Sequence, residues 1–194
     1  MQSLIDHART FHQKVSGGRE QAAGPGDGVS PQAMFVTCSD AQVIPSLITG
    51  ARPGELFELR TAGNVIPPYR LGRLTAEAAT IEYAVNILGV QDVIVCGHTR
   101  CGAVQGRVRS WTLRSAPTTR WWLLQTHRWR DAPVLADEDA ARAHLIAQLD
   151  KLRRYPRVAR RVAAGRLRLH GWFYEVQTGV VSNYRPDTGA FTPL

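Results

Sequence analysis

The chain has 194 residues, and its formal net charge of +8 gives it a pI of about 10.1. This length suits one domain with a sizeable core, and no apolar run approaches the ~18 residues that a membrane span requires. The three cysteines are too few, and odd in number, for a secreted disulfide framework. We therefore predict a single cytoplasmic domain spanning residues 1–194, with no membrane partner.

The positive charge comes almost entirely from arginine, because only Lys14 and Lys151 of the 24 basic residues are lysines. A chain this basic invites comparison with nucleic-acid-binding proteins. Basic composition alone, however, bears on solubility and non-specific contacts rather than on function. Since the sequence has no zinc-finger spacing, no helix-turn-helix pattern and no aromatic-rich RNA-binding strand, we expect no specific nucleic-acid partner.

Helical and extended patterns alternate along the chain. The first is an amphipathic helix over residues 1–15, which a glycine-rich linker follows, so that residues 1–30 form an N-terminal helical arm and linker. The patterns then predict strands over 33–37, 56–60, 92–96 and 167–176, helices over 44–49, 75–88 and 140–154, and two short extended pieces at the end. This alternation predicts an α/β fold with a mostly parallel central β-sheet flanked by helices.

Several residues have structural rather than chemical interpretations. On the predicted helix 75–88, Ala79, Tyr83 and Ile87 share one face, and we interpret His144 as a surface group. Cys96 lies within a strand and is expected to be a small buried apolar group. The segment 107–133 is rich in arginine and contains four tryptophans; we interpret it as a helix-loop-helix cover whose tryptophans fill the core or a subunit interface.

Candidate metal ligands follow two of the predicted strands. Cys38 and Asp40 come directly after the first strand, and His98 and Cys101 follow the third. Ligands collect at the carboxyl ends of strands in open parallel sheets, so these side chains are expected to meet at one edge. Two thiolates and one imidazole can hold Zn²⁺ and leave a fourth position open. The sequence therefore predicts a zinc site formed by Cys38, His98 and Cys101.

The pair of motifs CSD and HTRC resembles the C-x-D-x-R and H-x-x-C motifs of the β-class carbonic anhydrases. The segments RPGELFELRTAGNVIPPY, TIEYAVNILGVQDVIVCGHTRCGAV and LRLHGWFYEVQTGVV also look like this family. The resemblance implies zinc-dependent, reversible hydration of CO2 to bicarbonate, with Cys38, His98 and Cys101 as ligands. It further implies that Asp40 orients the nucleophile and that the Gly63 backbone lies near the substrate. The N-terminal helix resembles the arm that embraces a second subunit, which implies a homodimer or a larger even oligomer.

The sequence departs from the family pattern at Gln42, which replaces the motif arginine. Glutamine can donate a hydrogen bond to Asp40, but it lacks the charge and the two-pronged geometry of arginine. Asp40 is therefore expected to approach the zinc and slow the reaction, unless Gln42 or Arg100 restrains it. Two alternatives remain: a zinc hydrolase of the same fold acting on a small molecule such as CS2 or COS, and a catalytically silent zinc-binding homologue.

Overall fold

The computed structural model describes residues 1–16, 31–72, 74–104, 114–124 and 137–194. Within these ranges six strands form one sheet: β1 (Ala33–Cys38), β2 (Leu56–Thr61), β3 (Asp92–His98), β4 (Arg168–Tyr174), β5 (Val181–Arg185) and β6 (Ala190–Pro193). The helices are α1 (Gln2–Ser16), α2 (Pro45–Thr49), α3 (Ala76–Glu82), which continues as a π-helical segment (Tyr83–Leu88), α4 (Pro117–Leu124), α5 (Asp137–Arg153) and α6 (Pro156–Ala163).

The sheet confirms the predicted α/β architecture. Its strand order is β2-β1-β3-β4-β5-β6, in which the first four strands run parallel and the last two add antiparallel pairings at one edge. All six residues of β1 are buried, in agreement with its nearly continuous apolar run, and its apolar residues divide between two hydrophobic clusters, one on each face of the sheet. The apolar runs in the sequence therefore predict the parallel centre of the sheet.

Helix α5 packs closely on the centre of the sheet. Its residues Leu145, Leu149 and Leu152 are fully buried, as their helical spacing predicts. A Cβ atom added to Gly97 of β3 would lie 3.2 Å from the Leu145 Cβ, and one added to Gly171 of β4 would lie 3.3 Å from the Leu149 Cδ2. The two strand glycines thus make room for α5 against β3 and β4.

The helical face that Ala79, Tyr83 and Ile87 share is not the buried one. Ile81, Ala84 and Val85 face the core, whereas Tyr83 and Ile87 are exposed. Both sets of residues are apolar and both recur at spacings of three or four, so the periodicity alone does not choose between them. Packing against the sheet determines which of the two faces is buried.

The tryptophan-rich segment is described only over 114–124. In α4, Leu123 is fully buried and Trp122 is partly buried, whereas 71% of Trp121 is exposed, so Trp121 does not fill the core of this chain. Trp111, Trp129 and the glycine-rich linker lie outside the described residues. No described helix is both long enough and apolar enough to cross a membrane.

Candidate metal centre

The carboxyl ends of β1 and β3 bring the predicted ligands together. Parallel pairing places Thr37 beside Cys96, so β1 ends with Cys38 at the same edge of the sheet where β3 ends with His98. Cys101 follows three residues after His98 and precedes a helical turn at residues 102–104. The loop after β3 therefore returns a second thiol to the position of the first.

The three side chains form a compact, buried group. The ligand atoms of Cys38, His98 and Cys101 all lie within 4.8 Å of one another, and each residue is at most 5% exposed. The two Sγ atoms are 3.8 Å apart. Tetrahedral zinc with bonds of about 2.3 Å to sulfur requires two sulfur ligands about 3.8 Å apart. The spacing of the thiols therefore fits a zinc ion.

The His98 ring presents one nitrogen for a metal. Its Nδ1 lies 2.9 Å from the carbonyl oxygen of Thr99, and because a carbonyl can only accept, Nδ1 must carry the proton and donate. The remaining nitrogen, Nε2, then has an available lone pair, and this buried atom has no hydrogen-bond partner among the described residues. Buried polar atoms are rarely left unpaired, so a cation at this position would satisfy Nε2.

The two thiols share one negative charge when no cation is present. The hydrogen bond from Cys101 lowers the pKa of Cys38 to about 4, with further help from the backbone at Asp40 and Gly63, while burial opposes this shift. The same contact and burial raise the pKa of Cys101 far above its ordinary value. A divalent cation would stabilise both sulfurs as thiolates, which is the form that binds zinc.

Gly63 contacts the first thiol through its backbone. Its N–H donates to the Cys38 Sγ at 3.3 Å. The residue has a φ of +74°, and an added Cβ would lie 3.0 Å from the Cβ of Ala103 and 3.2 Å from the Leu123 Cδ2. Glycine is required here for both the backbone conformation and the close approach. The structure thus places Gly63 beside the sulfur of a candidate ligand.

Helix α5 and its neighbours hold the segment that carries Gly63. His144 donates from Nε2 to the Gly63 carbonyl at 2.7 Å, and the Gln148 Oε1 accepts from the Ile66 N–H at 2.9 Å.

Two residues outside α5 hold the same segment. The Tyr155 hydroxyl donates to the Pro67 carbonyl at 2.8 Å, and the Trp122 indole donates to the Ala62 carbonyl at 3.0 Å.

The interpretation of His144 as a surface group is therefore wrong, since it is 1% exposed. A signal for its burial was present in the sequence: His144 and Gln148 lie four residues apart, each directly before one of the buried leucines of α5. Two polar side chains within an apolar helix face need partners, and here the partners are backbone groups of the site.

Asp40 lies next to the metal group but is not a member of it. Its Oδ1 accepts a hydrogen bond at 2.9 Å from the backbone N–H of Gln42. The Gln42 side chain is exposed, so the contact between these two residues comes from the main chain. Arg100 is also exposed, with a left-handed backbone φ of 56°, and no hydrogen bond to Asp40 is found for it among the described residues.

Arg60 fixes the loop that carries Cys38 and Asp40. Its guanidinium donates to the Cys38 carbonyl at 3.2 Å, to the Asp40 carbonyl at 2.8 Å and to the Val43 carbonyl at 2.7 Å. The sequence motifs do not predict these contacts. The sequence does give one indication of a role for Arg60, because it is the only arginine in strand β2 and lies near its end. A partly buried guanidinium donates to all three carbonyls, which stabilises one loop shape.

Comparisons with known proteins agree with this geometry. The carbonic anhydrase family model matches residues 33–181. The β-carbonic anhydrase CcaA superposes with a TM-score of 0.88 at 33% identity, over 100% of this chain and 92% of that one. This chain belongs to the β-carbonic anhydrase family. Carbonic anhydrases from Pseudomonas aeruginosa and a Synechocystis strain are 38% and 36% identical to it, over 92% and 95% of this chain and 85% and 71% of their own lengths.

Zinc is the cofactor of β-carbonic anhydrases, and the donors described above fit it. The group contains two thiols at the sulfur spacing that zinc requires and a buried imidazole nitrogen that lacks another partner among the described residues. The one departure from the family motif is Gln42. In this chain a backbone N–H contacts the Asp40 carboxylate, and Arg60 holds the backbone around it.

We predict that Arg60→Gln accelerates the release of zinc to a chelator several-fold and lowers the midpoint of thermal unfolding. The substitution leaves three carbonyl groups of the loop without a charged donor, and hydrogen bonds to charged groups contribute about 1.5–3 kcal/mol each. Chelator-dye absorbance measures the release. The control is Arg52→Gln, which removes an exposed ion pair with Glu55 and should change neither quantity appreciably. Equal release rates in the two variants would contradict the role of Arg60.

Proposed function

We propose that this chain catalyses the reversible hydration of CO2 to bicarbonate, with zinc held by Cys38, His98 and Cys101. The observation that carries the proposal is the buried group of three ligand atoms within 4.8 Å of one another, at the strand ends where the family has its H-x-x-C and C-x-D motifs. Zinc supplies one kind of chemistry here: it lowers the pKa of water toward about 7 and so makes hydroxide available near neutral pH.

The residues around the zinc ligands have separate roles in this proposal. Asp40 accepts a hydrogen bond from the attacking nucleophile and so orients it toward the carbon of CO2. The Gln42 N–H engages Oδ1 of the same carboxylate at 2.9 Å and restrains its position. Gly63 is proposed to lie on the substrate side, and its N–H also stabilises the Cys38 thiolate. His98 keeps its metal-facing tautomer because Nδ1 donates to Thr99.

We also propose that the chain acts as a single domain in a homodimer or larger even oligomer. Helix α1 supports the second part, because Leu4 and Phe11 on its apolar stripe are 68% and 55% exposed. A helix of this length is only marginally stable alone and needs to bury such a stripe. Ile87, which is 70% exposed on the π-helical segment that continues α3, offers further apolar surface. A cytoplasmic location is consistent with three free cysteines, two of which must stay reduced to bind zinc.

Metal analysis of purified variants tests the ligand assignment. We predict that Cys101→Ser lowers the zinc content from one ion per chain to a small fraction, because the hydroxyl that replaces the thiol is a poor zinc ligand. Cys96→Ser is the matched control: Cys96 is equally buried, but burial raises the pKa of its thiol to about 12, and it lies outside the metal group. Full zinc retention in Cys101→Ser would contradict the assignment.

Stopped-flow CO2 hydration tests the role of Gln42. We predict that Gln42→Arg raises kcat/KM by about tenfold, which corresponds to ~1.4 kcal/mol of barrier. The reason is that arginine can donate two charge-assisted hydrogen bonds to Asp40 and hold its carboxylate away from the zinc. Gln42→Lys supplies the charge without the two-pronged geometry and should give a smaller gain. If the wild type and all variants hydrate CO2 equally fast, the backbone N–H and Arg60 already suffice.

Light scattering tests the oligomeric state. We predict a mass of at least twice the 21.5 kDa chain at micromolar concentration. Phe11→Ser should shift the protein toward the monomer, because it removes the largest exposed apolar side chain of α1. Gln13→Ser changes a residue on the opposite face of the same helix and should leave the mass unchanged. A monomeric wild type would contradict the proposal.

A further inference from the structure

Part of the positive charge of the chain is concentrated in one stretch of its sequence. Eight of its 24 lysines and arginines fall between residues 151 and 168, a stretch without a single acidic residue. This stretch covers the end of α5, all of α6 and the start of β4. This local excess of positive charge produces a stronger positive electrostatic potential than the average composition of the chain would produce.

A cleft of about 310 Å³ lies within this region, at the amino ends of β3 and β4. Gly89 and Gln91, which precede β3, form one side, and Arg161, Arg166 and Arg168 contribute from α6 and the turn into β4. A second cleft of about 420 Å³ adjoins it and shares Gly89, Gln91 and Arg168. The metal centre occupies the carboxyl ends of β1 and β3, so the cleft lies at the opposite edge of the sheet.

The guanidinium of Arg161 is incompletely satisfied. Its Nη2 makes only long hydrogen bonds, at 3.5 Å to the Gly89 carbonyl and 3.4 Å to the Arg166 carbonyl. Its Nε is buried without a hydrogen-bond partner, and no carboxylate lies within 4.0 Å of the group among the described residues. Since burying a cation without a counter-charge is unfavourable, an anion in the cleft would stabilise it.

The other two arginines of the cleft differ from each other. Arg168 forms a two-pronged ion pair with Asp92, at 2.7 and 2.6 Å, and its charge is therefore neutralised. The Asp92 carboxylate also lies 2.8 Å from the His170 Nε2. Arg166 is exposed and has no ion pair within the described part of the chain. The net charge that the cleft offers to a ligand thus comes from Arg161 and Arg166.

We propose that this cleft binds the phosphate groups of a small phosphorylated molecule, at one site per chain. Guanidinium groups match phosphate oxygens in geometry and charge, and two of them with no acidic partner among the described residues suit a ligand that carries more than one negative charge. The cleft lies in the size range of small-molecule sites. A concave site lined by a partly buried arginine favours a compact anion. An extended nucleic acid would bind equally well to exposed side chains on a convex surface and would not need such a cleft.

Isothermal titration calorimetry of the zinc-loaded protein with pyrophosphate tests the proposal. We expect saturable binding of one pyrophosphate per chain at physiological ionic strength. Arg161→Gln and Arg166→Gln should each weaken binding at least tenfold. Arg157→Gln is the matched control, because it removes the same charge from α6 but does not line the cleft, and it should weaken binding less than twofold.

Two further measurements distinguish phosphate binding in the cleft from an effect on the metal centre. Zinc content and CO2 hydration should be unchanged in Arg166→Gln, an exposed position, so a loss of pyrophosphate binding there cannot reflect damage to the metal centre or chelation of its zinc. The binding result also stands apart from the proposed activity, because it does not depend on CO2 hydration.

Three results would overturn the proposal. The first is a failure of pyrophosphate to saturate the wild type, and the second is a loss of binding in Arg157→Gln as large as that in the cleft variants. The third is pyrophosphate binding that Arg161→Gln and Arg166→Gln leave unweakened.

Discussion

The metal centre depends on the register between β1 and β3. Thr37 lies beside Cys96, so both strands end at the same edge of the sheet. The side chains of Cys38 and His98 therefore meet at a common position. Because side chains alternate between the faces of a strand, a slip of one residue would turn the Cys38 sulfur to the opposite face. In the observed register every residue of β1 is buried, and Cys38 lies in the same core cluster as Val36 and Cys101. Packing of the sheet interior therefore determines where a zinc ion can be held.

A second layer of contacts connects this edge to the body of the protein. Helix α5 approaches the sheet closely at two strand glycines, and from that position His144 reaches the carbonyl of Gly63 while Gly63 donates to the Cys38 sulfur. The chain of contacts from helix to glycine to thiol is short and wholly buried. It fixes the hydrogen bonding of the Cys38 sulfur, which helps to set the charge of that candidate ligand. The same helix that completes the core thus also orients the site.

The sequence was sufficient to predict the parallel sheet, the strand ends and the three candidate ligands, because buried strands and ligand residues leave direct patterns. It was insufficient for features that depend on contacts between distant segments. The buried face of α3 could not be chosen, since both of its faces are apolar. His144 gave only a weak signal, and the contact between Gln42 and Asp40 comes from a backbone N–H, which every residue except proline possesses. The roles of Asp40 and Gln42 remain predictions.

Arg60 holds the loop after β1 through hydrogen bonds to three backbone carbonyls, and all of these bonds go to main-chain atoms. The loop shape is therefore largely indifferent to which side chains it carries. Exposed positions such as Ser39, Ala41 and Gln42 can change without altering the path of the backbone between Cys38 and Val43. A chain built in this way can exchange the residue beside its reactive carboxylate, and so adjust its chemistry, while the scaffold that presents the carboxylate stays the same.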